Sequence, residues 1–279
     1  MTQEERRNLE ILACKARIGA IIGTFHAKSG HPGGSLSAAD MFTYLYFKEM
    51  NINPADPAWE DRDRFVLSKG HCCPSLYAVL ALKGYFAWEE LNVLRHVGAM
   101  LQGHPDMKGT PGIDMSSGSL GQGVSAACGM ALAAKLDQKE WRVYTVLGDG
   151  ECEEGEVWEA AMFAGHHDLD NLTVIVDCNG LQIDGTTEEV GGVEPIAPKF
   201  ESFGFDTVII DGHSFDEIET ALAQAKASDK PFAIIMKTVK GKGVSFMENQ
   251  VGWHGKACNA DEYKVAMAEL EAQLAGLEA

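Results

Sequence analysis

Four short runs dominated by β-branched and other apolar residues, at 143–147, 172–176, 207–210 and 232–236, alternate with segments of helical spacing, and this alternation constrains the 279-residue chain most. Apolar runs of that length read as strands buried on both faces. Between them, 156–167 has helical spacing, and 214–227 opens with Ser214-x-x-Glu217, the pattern of a capping box. Strand following helix following strand predicts a parallel sheet covered by helices on both faces, an α/β fold. Upstream, 4–28 is a long helical stretch in which Leu9, Leu12, Ile18, Ile22 and Phe25 form one buried stripe, and it stops at a predicted loop, Ser29-Gly30-His31-Pro32-Gly33-Gly34. Further helices are predicted over 36–50, 75–83, 88–97 and 121–136, with a strand at Phe65-Val66-Leu67 and an amphipathic terminal helix over 261–277. No repeat, linker or low-complexity tract interrupts the pattern, so a single domain over 1–279 is expected.

Charge narrows the partners. Lys and Arg number 23 against 41 Asp and Glu, a formal net charge of −18, which repels a phosphate backbone; nucleic acid is not expected as a partner. The 7 cysteines are odd in number, scattered, and contain no Cys-x-x-Cys pair, which fits a reducing, cytoplasmic setting. Met1-Thr2-Gln3-Glu4-Glu5-Arg6-Arg7 lacks the order of a secretory signal, and glycines, serines and Gln122 break the longest uncharged run, so no membrane insertion is expected.

Two strand ends carry the chemistry. The run at 143–147 leads into Gly148-Asp149-Gly150, and that at 172–176 into Asp177-Cys178-Asn179-Gly180. In a parallel sheet the carboxyl ends of neighbouring strands face one crevice, so Asp149 and Asn179 are expected to converge. A carboxylate and an amide oxygen suit Mg²⁺, which takes oxygen ligands and completes its octahedron with phosphates and water. The glycines beside Asp149 permit close approach of a diphosphate to the backbone. Alone, Gly-Asp-Gly reads better as a tight turn after a strand. Beside Asn179, the metal and diphosphate reading prevails.

The run Gly148-Asp149-Gly150, Glu154-Gly155, Glu159-Ala160, Ala164-Gly165-His166, Asn171-Leu172, Asn179 and Ile183-Asp184-Gly185 resembles the thiamine-diphosphate motif of transketolases. Ser29-Gly30-His31-Pro32-Gly33, Asp63-Arg64-Phe65-Val66-Leu67-Ser68-Lys69-Gly70-His71, Gln102-Gly103-His104-Pro105, Gly118-Ser119-Leu120-Gly121-Gln122-Gly123 and Trp253-His254-Gly255 follow the order of that family's amino-terminal domain. The resemblance implies a thiamine-diphosphate-binding fold. It makes Asp149, Asn179 and the Leu181 backbone carbonyl the Mg²⁺ ligands, with His71, His254 and the Gly150 amide at the diphosphate. Gly118 and Leu120 are implied as cofactor contacts, and His31, His104 and His254 as the residues lining the substrate channel. Glu154 and Glu159 are implied near cofactor and dimer interface, although first-turn acids are favourable on a helix in any case.

Imidazole can donate, accept and exchange protons near neutral pH, which suits handling of sugar hydroxyls. His213, in Asp211-Gly212-His213-Ser214, is expected only to sit in a polar loop before a capped helix. His26, His96, His166 and His167 fall in helical stretches and read as structural, and Cys72-Cys73 as packing residues.

The resemblance also implies a second domain that supplies a glutamate for the aminopyrimidine ring and most of the sugar-phosphate site. The chain is expected to lack it, and so to be the amino-terminal subunit of a split transketolase. It would pair with a carboxyl-terminal subunit in an α2β2 assembly with a homodimer contact, and move a two-carbon ketol unit from a ketose phosphate to an aldose acceptor. Another thiamine-diphosphate enzyme subunit, of deoxyxylulose-phosphate synthase or decarboxylase type, is the enzymatic alternative, and a non-catalytic scaffold the other. Ser119 and Cys72-Cys73-Pro74 depart from the full-length pattern and resemble the split type.

Overall fold

The computed structural model describes residues 1–279. Helix α1 (Gln3–Ala27) leads to α2 (Pro32–Tyr44), which a π-helical turn (Leu45–Glu49) extends. Strand β1 (Arg64–Leu67), a 3₁₀ turn (Gly70–Cys72), α3 (Cys73–Lys83), a 3₁₀ segment (Trp88–Val93) and α4 (Gln122–Leu136) follow. Then come β2 (Val143–Gly148), a 3₁₀ turn (Gly150–Glu153), α5 (Gly155–His166), β3 (Leu172–Cys178), the short strands β4 (Leu181–Gln182) and β5 (Gly185–Thr186), and helices α6 (Thr187–Val190) and α7 (Ile196–Ser202). The chain continues through β6 (Asp206–Asp211), α8 (Phe215–Ala227), β7 (Phe232–Lys237), a 3₁₀ turn (Val251–Trp253) and α9 (Ala260–Glu278).

Five strands form one sheet in the order β1-β2-β3-β7-β6, parallel throughout, as the alternation predicts. Successive residues of a strand point to opposite faces, and the core divides accordingly. Tyr144, Val146, Ile175, Ile234 and Met236 pack with Phe42, Leu76, Tyr77 and Ile218 of α2, α3 and α8. Val143, Leu147, Val174, Val176, Ala233 and Ile235 pack with Val124, Val157 and Phe200 of α4, α5 and α7. On the flank, Cys14, Ile18 and Ile21 of α1 meet Val244, Met247, Trp253 and Leu270.

Three local expectations are corrected. The Gly-rich stop after α1 is not a loop throughout: α2 begins at Pro32, a residue pre-organised for the first helical position, and Gly33 and Gly34 lie inside it. A Cβ on Gly34 would sit 2.6 Å from Cys72 Sγ and one on Gly33 2.8 Å from the Trp253 carbonyl oxygen, so these glycines serve close approach. The helix expected over 88–97 is a 3₁₀ segment ending at Val93: buried Leu91 and Leu94 are three apart, a spacing a 3₁₀ turn satisfies, and Arg95 takes φ 63°. Only half of the capping box forms at α8. Ser214 Oγ accepts the Glu217 N–H, but Glu217 turns back to accept the N–H of Asp211. The terminal helix is present, with a full capping box from Asn259 and Glu262.

Candidate active site

The carboxyl ends of β2, β3 and β7 open into a cleft of about 110 Å³. Of the residues singled out in the sequence, it brings together His71, Leu120, Asp149, Gly150, Asn179, Leu181 and His254. It adds Glu151, Gln182 and Lys240, which no motif included, and Lys69, which the sequence quoted within a motif but gave no role.

Asp149 caps the 3₁₀ turn after β2: one carboxylate oxygen accepts the Gly150 N–H at 2.8 Å, the other the Gly180 N–H at 2.6 Å. Its carboxyl is pushed up to about 6, first by burial and then by the Asp177 charge. Such a group gains by meeting a cation. Asn179 Nδ2 lies 3.4 Å from Asp177, and Oδ1 accepts the Leu181 N–H at 3.2 Å. The Leu181 carbonyl, expected on the metal, accepts from the Lys240 ammonium at 2.8 Å and so already faces positive charge. No set of three or more His, Cys, Asp or Glu side chains converges as a metal cage. Carboxylate, amide and carbonyl oxygens remain, a hard donor set that fits Mg²⁺ when diphosphate oxygens and water complete it. A Cβ on Gly150 would meet the Gln182 side chain, Oε1 at 2.9 Å and Cβ at 3.1 Å, so Gly150 lets that side chain pack against its backbone.

At the edge of the cleft, where Lys69 lines it, lies a buried ion pair. Lys69 contacts Asp177, which also accepts from Ser37 and Thr238, and Lys69 Nζ donates to the Gly34 carbonyl at 3.2 Å. Burial opposes both charges, but each partner outweighs it: the Asp177 carboxyl is lowered and the Lys69 ammonium raised. Glu151, equally buried, accepts from Ser68, Gly121 N and Gly148 N, joining the Gly118–Gly123 loop to the end of β2.

Four histidines form one wall. The His31 ring centroid lies 5.1 Å from that of His71, 5.5 Å from His254 and 6.2 Å from His104. His31 Nδ1 is buried without a partner. Burial is the first cause that lowers all four, with neighbouring cations adding to it: His31 to about 4 beside Arg95, His254 to about 3 beside Lys240, and His71 and His104 also downward. The rings are therefore neutral at pH 7, able to donate and accept hydrogen bonds. His31 and His104 do not line the cleft; His31 adjoins His71 and His254, which do, and His104 adjoins His31. Gly118 contacts His104, since a Cβ there would lie 3.3 Å from that ring.

Other expected residues fall elsewhere. Glu154 is exposed at the amino end of α5, and Glu159 is exposed on the same helix. Cys72 and Cys73 are fully buried, their thiols pushed by burial up to about 11 and about 12, in agreement with a packing role. His213 is no idle loop residue: Nδ1 lies 2.7 Å from Asp40 and Nε2 accepts the Val239 N–H at 2.9 Å. Asp149 and Asn179 directly follow their strands, whereas Lys240 lies three residues past the end of β7 and joins them only because β7 is the neighbour of β3.

Residues 11–274 match the family model described as "Transketolase, thiamine diphosphate binding domain". The chain is 52% identical over 243 residues to the 6-deoxy-6-sulfo-D-fructose transketolase subunit SqwG of Clostridium sp., covering 87% of this chain and 88% of that one. It is 41% identical over 274 residues to an apulose-4-phosphate transketolase subunit from Phocaeicola vulgatus, covering 97% and 96%. The crystal structure of Campylobacter jejuni transketolase superposes with a TM-score of 0.90 at 33% identity, covering 99% of this chain and 46% of that chain. The chain thus spans nearly all of the subunit-named relatives and under half of that solved transketolase.

Proposed function

The chain belongs to the transketolase family, as its thiamine-diphosphate-binding domain, and from that premise we propose that it holds the cofactor diphosphate in a two-chain transketolase moving a two-carbon ketol unit between sugar phosphates. The observation that carries this reading is the convergence of Asp149, Asn179 and Lys240 on one cleft from the ends of three adjacent strands. Asp149, Asn179 and the Leu181 carbonyl are the groups to hold Mg²⁺. We assign the diphosphate to the Gly150 amide, His71, His254 and Lys240, a set that needs no arginine cluster. Leu120 lines the same cleft. When bound, thiamine diphosphate supplies the nucleophilic carbon that the protein lacks.

The chain's own part is to bind, orient and move protons. His31, His104 and His254 are neutral donors and acceptors for sugar hydroxyls, and the unpartnered His31 Nδ1 supports that role. We further propose that residues 1–279 act as one unit in a cytoplasmic α2β2 assembly, with a homodimer contact between copies of this chain and a separate carboxyl-terminal subunit. The exposed Glu154 and Glu159 belong to that interface. No helix is long and apolar enough to cross a membrane.

The test is ketol transfer with thiamine diphosphate and Mg²⁺, using this chain alone and with the product of the adjacent reading frame. Xylulose 5-phosphate, 6-deoxy-6-sulfofructose and apulose 4-phosphate serve as donors or products to be screened, the last two taken from the names of the relatives. Activity only in the mixture is expected. Release of carbon dioxide from pyruvate would instead indicate a decarboxylase or deoxyxylulose-phosphate synthase type, which the relatives do not favour.

A further inference from the structure

His213 is held at both ring nitrogens, and what it holds leads into the cleft. Nε2 accepts the Val239 N–H at 2.9 Å and so carries no proton; Nδ1, 2.7 Å from Asp40 Oδ2, is therefore the donor. Asp40 is buried and also paired with Arg17, whose Nε donates to the Leu36 carbonyl at 3.1 Å. Groups from α1 and α2 thus fix the tautomer of a residue in the β6–α8 connection. The β6–β7 ladder ends at the pair Asp211 and Lys237, so the Val239 N–H lies beyond the last strand pairing. The imidazole supplies the acceptor that the sheet no longer provides. The next residue is Lys240, whose ammonium enters the cleft 2.8 Å from the Leu181 carbonyl and 3.0 Å from His254 Nδ1.

We propose that His213 is a positioning residue for the diphosphate site: by holding Val239 it sets the backbone from which Lys240 reaches the cofactor, and Asp40 with Arg17 keeps the imidazole in the tautomer that can do so. The inference rests on the reading of the cleft as the diphosphate site. His213 touches neither cofactor nor substrate, so its effect must pass through Lys240.

The experiment uses the full chain together with its partner and compares His213→Leu, His213→Gln, Lys240→Met and the double variant His213→Leu/Lys240→Met. Binding of thiamine diphosphate with Mg²⁺ is read by calorimetry, and exchange protection of the Val239 amide by NMR of the chain. His213→Leu is expected to lower Val239 protection and weaken binding about tenfold, the scale of one lost hydrogen-bonded constraint. His213→Gln, which keeps one acceptor and one donor, should recover most of both. In the Lys240→Met background His213→Leu should add no further loss, since coupled residues are non-additive. Unchanged affinity in a His213→Leu protein that merely melts earlier would overturn the proposal, as would losses that multiply in the double variant. Normal binding by Lys240→Met alone would refute the diphosphate role of Lys240, and with it the proposal, through a variant that leaves His213 intact. Should His213→Leu not fold, His213→Asn, too short to span Asp40 and Val239, takes its place under the same criteria.

Discussion

Lys240 Nζ lies 3.0 Å from Nδ1 of His254. An ammonium can only donate, so Nδ1 is the acceptor and the neutral ring carries its proton on Nε2. Burial and the Lys240 charge together bring His254 to about 3. Lys240→Met should therefore move the His254 titration upward, yet leave it below the ordinary histidine value near 6.5 because burial persists. An NMR pH titration of the imidazole reads this directly, and an unmoved titration would show that Lys240 does not set the state of the ring.

The histidine wall also gives the folded chain a pH dependence of definite sign. His31 and His254 have folded values of about 4 and about 3, whereas in the unfolded chain they bind protons near 6.5. Between those values the unfolded state binds more protons at these rings, so their contribution is full above pH 6.5 and is lost as the pH drops toward 4, while the Asp149 carboxyl, raised to about 6, contributes with the opposite sign. Thermal melting of the chain free of cofactor reads the sum of these contributions. His31→Asn should lessen the loss toward low pH; an identical slope would mean that the ring titrates normally.

Asp149→Ala should abolish Mg²⁺-dependent binding of thiamine diphosphate, because the remaining amide and carbonyl oxygens carry no full charge. Chelation of the wild-type complex should produce the same loss, reversed by adding Mg²⁺. Calorimetry with and without chelator checks both, and normal cofactor binding by the variant would refute the metal assignment.

His104 is predicted to act on substrate and not on cofactor. His104→Ala should bind cofactor yet lower kcat about 10²-fold, the usual scale for a positioned polar group at a reacting centre. Its loop is held from below: the buried Tyr77 hydroxyl lies 3.0 Å from the Gln102 carbonyl oxygen and 3.1 Å from that of His104, while Cys73 and Arg95 both donate to the Gly103 carbonyl. Tyr77→Phe should cost about 1–2 kcal/mol of stability, from one buried hydrogen-bonding group. It should also lower kcat more than it raises KM. A loss confined to melting temperature would make Tyr77 structural only.

What the sequence disclosed follows from what its patterns encode. Period and length report strands and long helices directly, so the sheet and the convergence of Asp149 with Asn179 were legible without coordinates. The order of the strands is not encoded locally. Only when β7 is known to lie beside β3 does Lys240, three residues beyond its end, become a member of the same cleft. Lys69 was hidden for a related reason, since its role depends on Asp177, more than a hundred positions away, which a motif cannot express. Glu154 belongs to a recognised motif, but its side chain is exposed and does not line the cleft of the single chain, so its motif alone does not say what it meets. The short α6 and α7 escaped notice because a helix of one or two turns leaves too few residues to display a period.

The buried pair at the edge of the cleft has a consequence for assembly. Asp177 and Ile175 share one face of β3, and Val176 and Cys178 share the other. A one-residue slip of β3 would turn Asp177 away from Lys69, Ser37 and Thr238, toward the face on which Val174 and Val176 pack, and leave Lys69 without its partner. Stranding a buried charge costs several kcal/mol, a large share of the stability of an ordinary domain. Misaligned pairings are thus rejected on electrostatic grounds. The pair works as a proofreading device, and the alignment it accepts is the one that delivers Asn179 to the cleft.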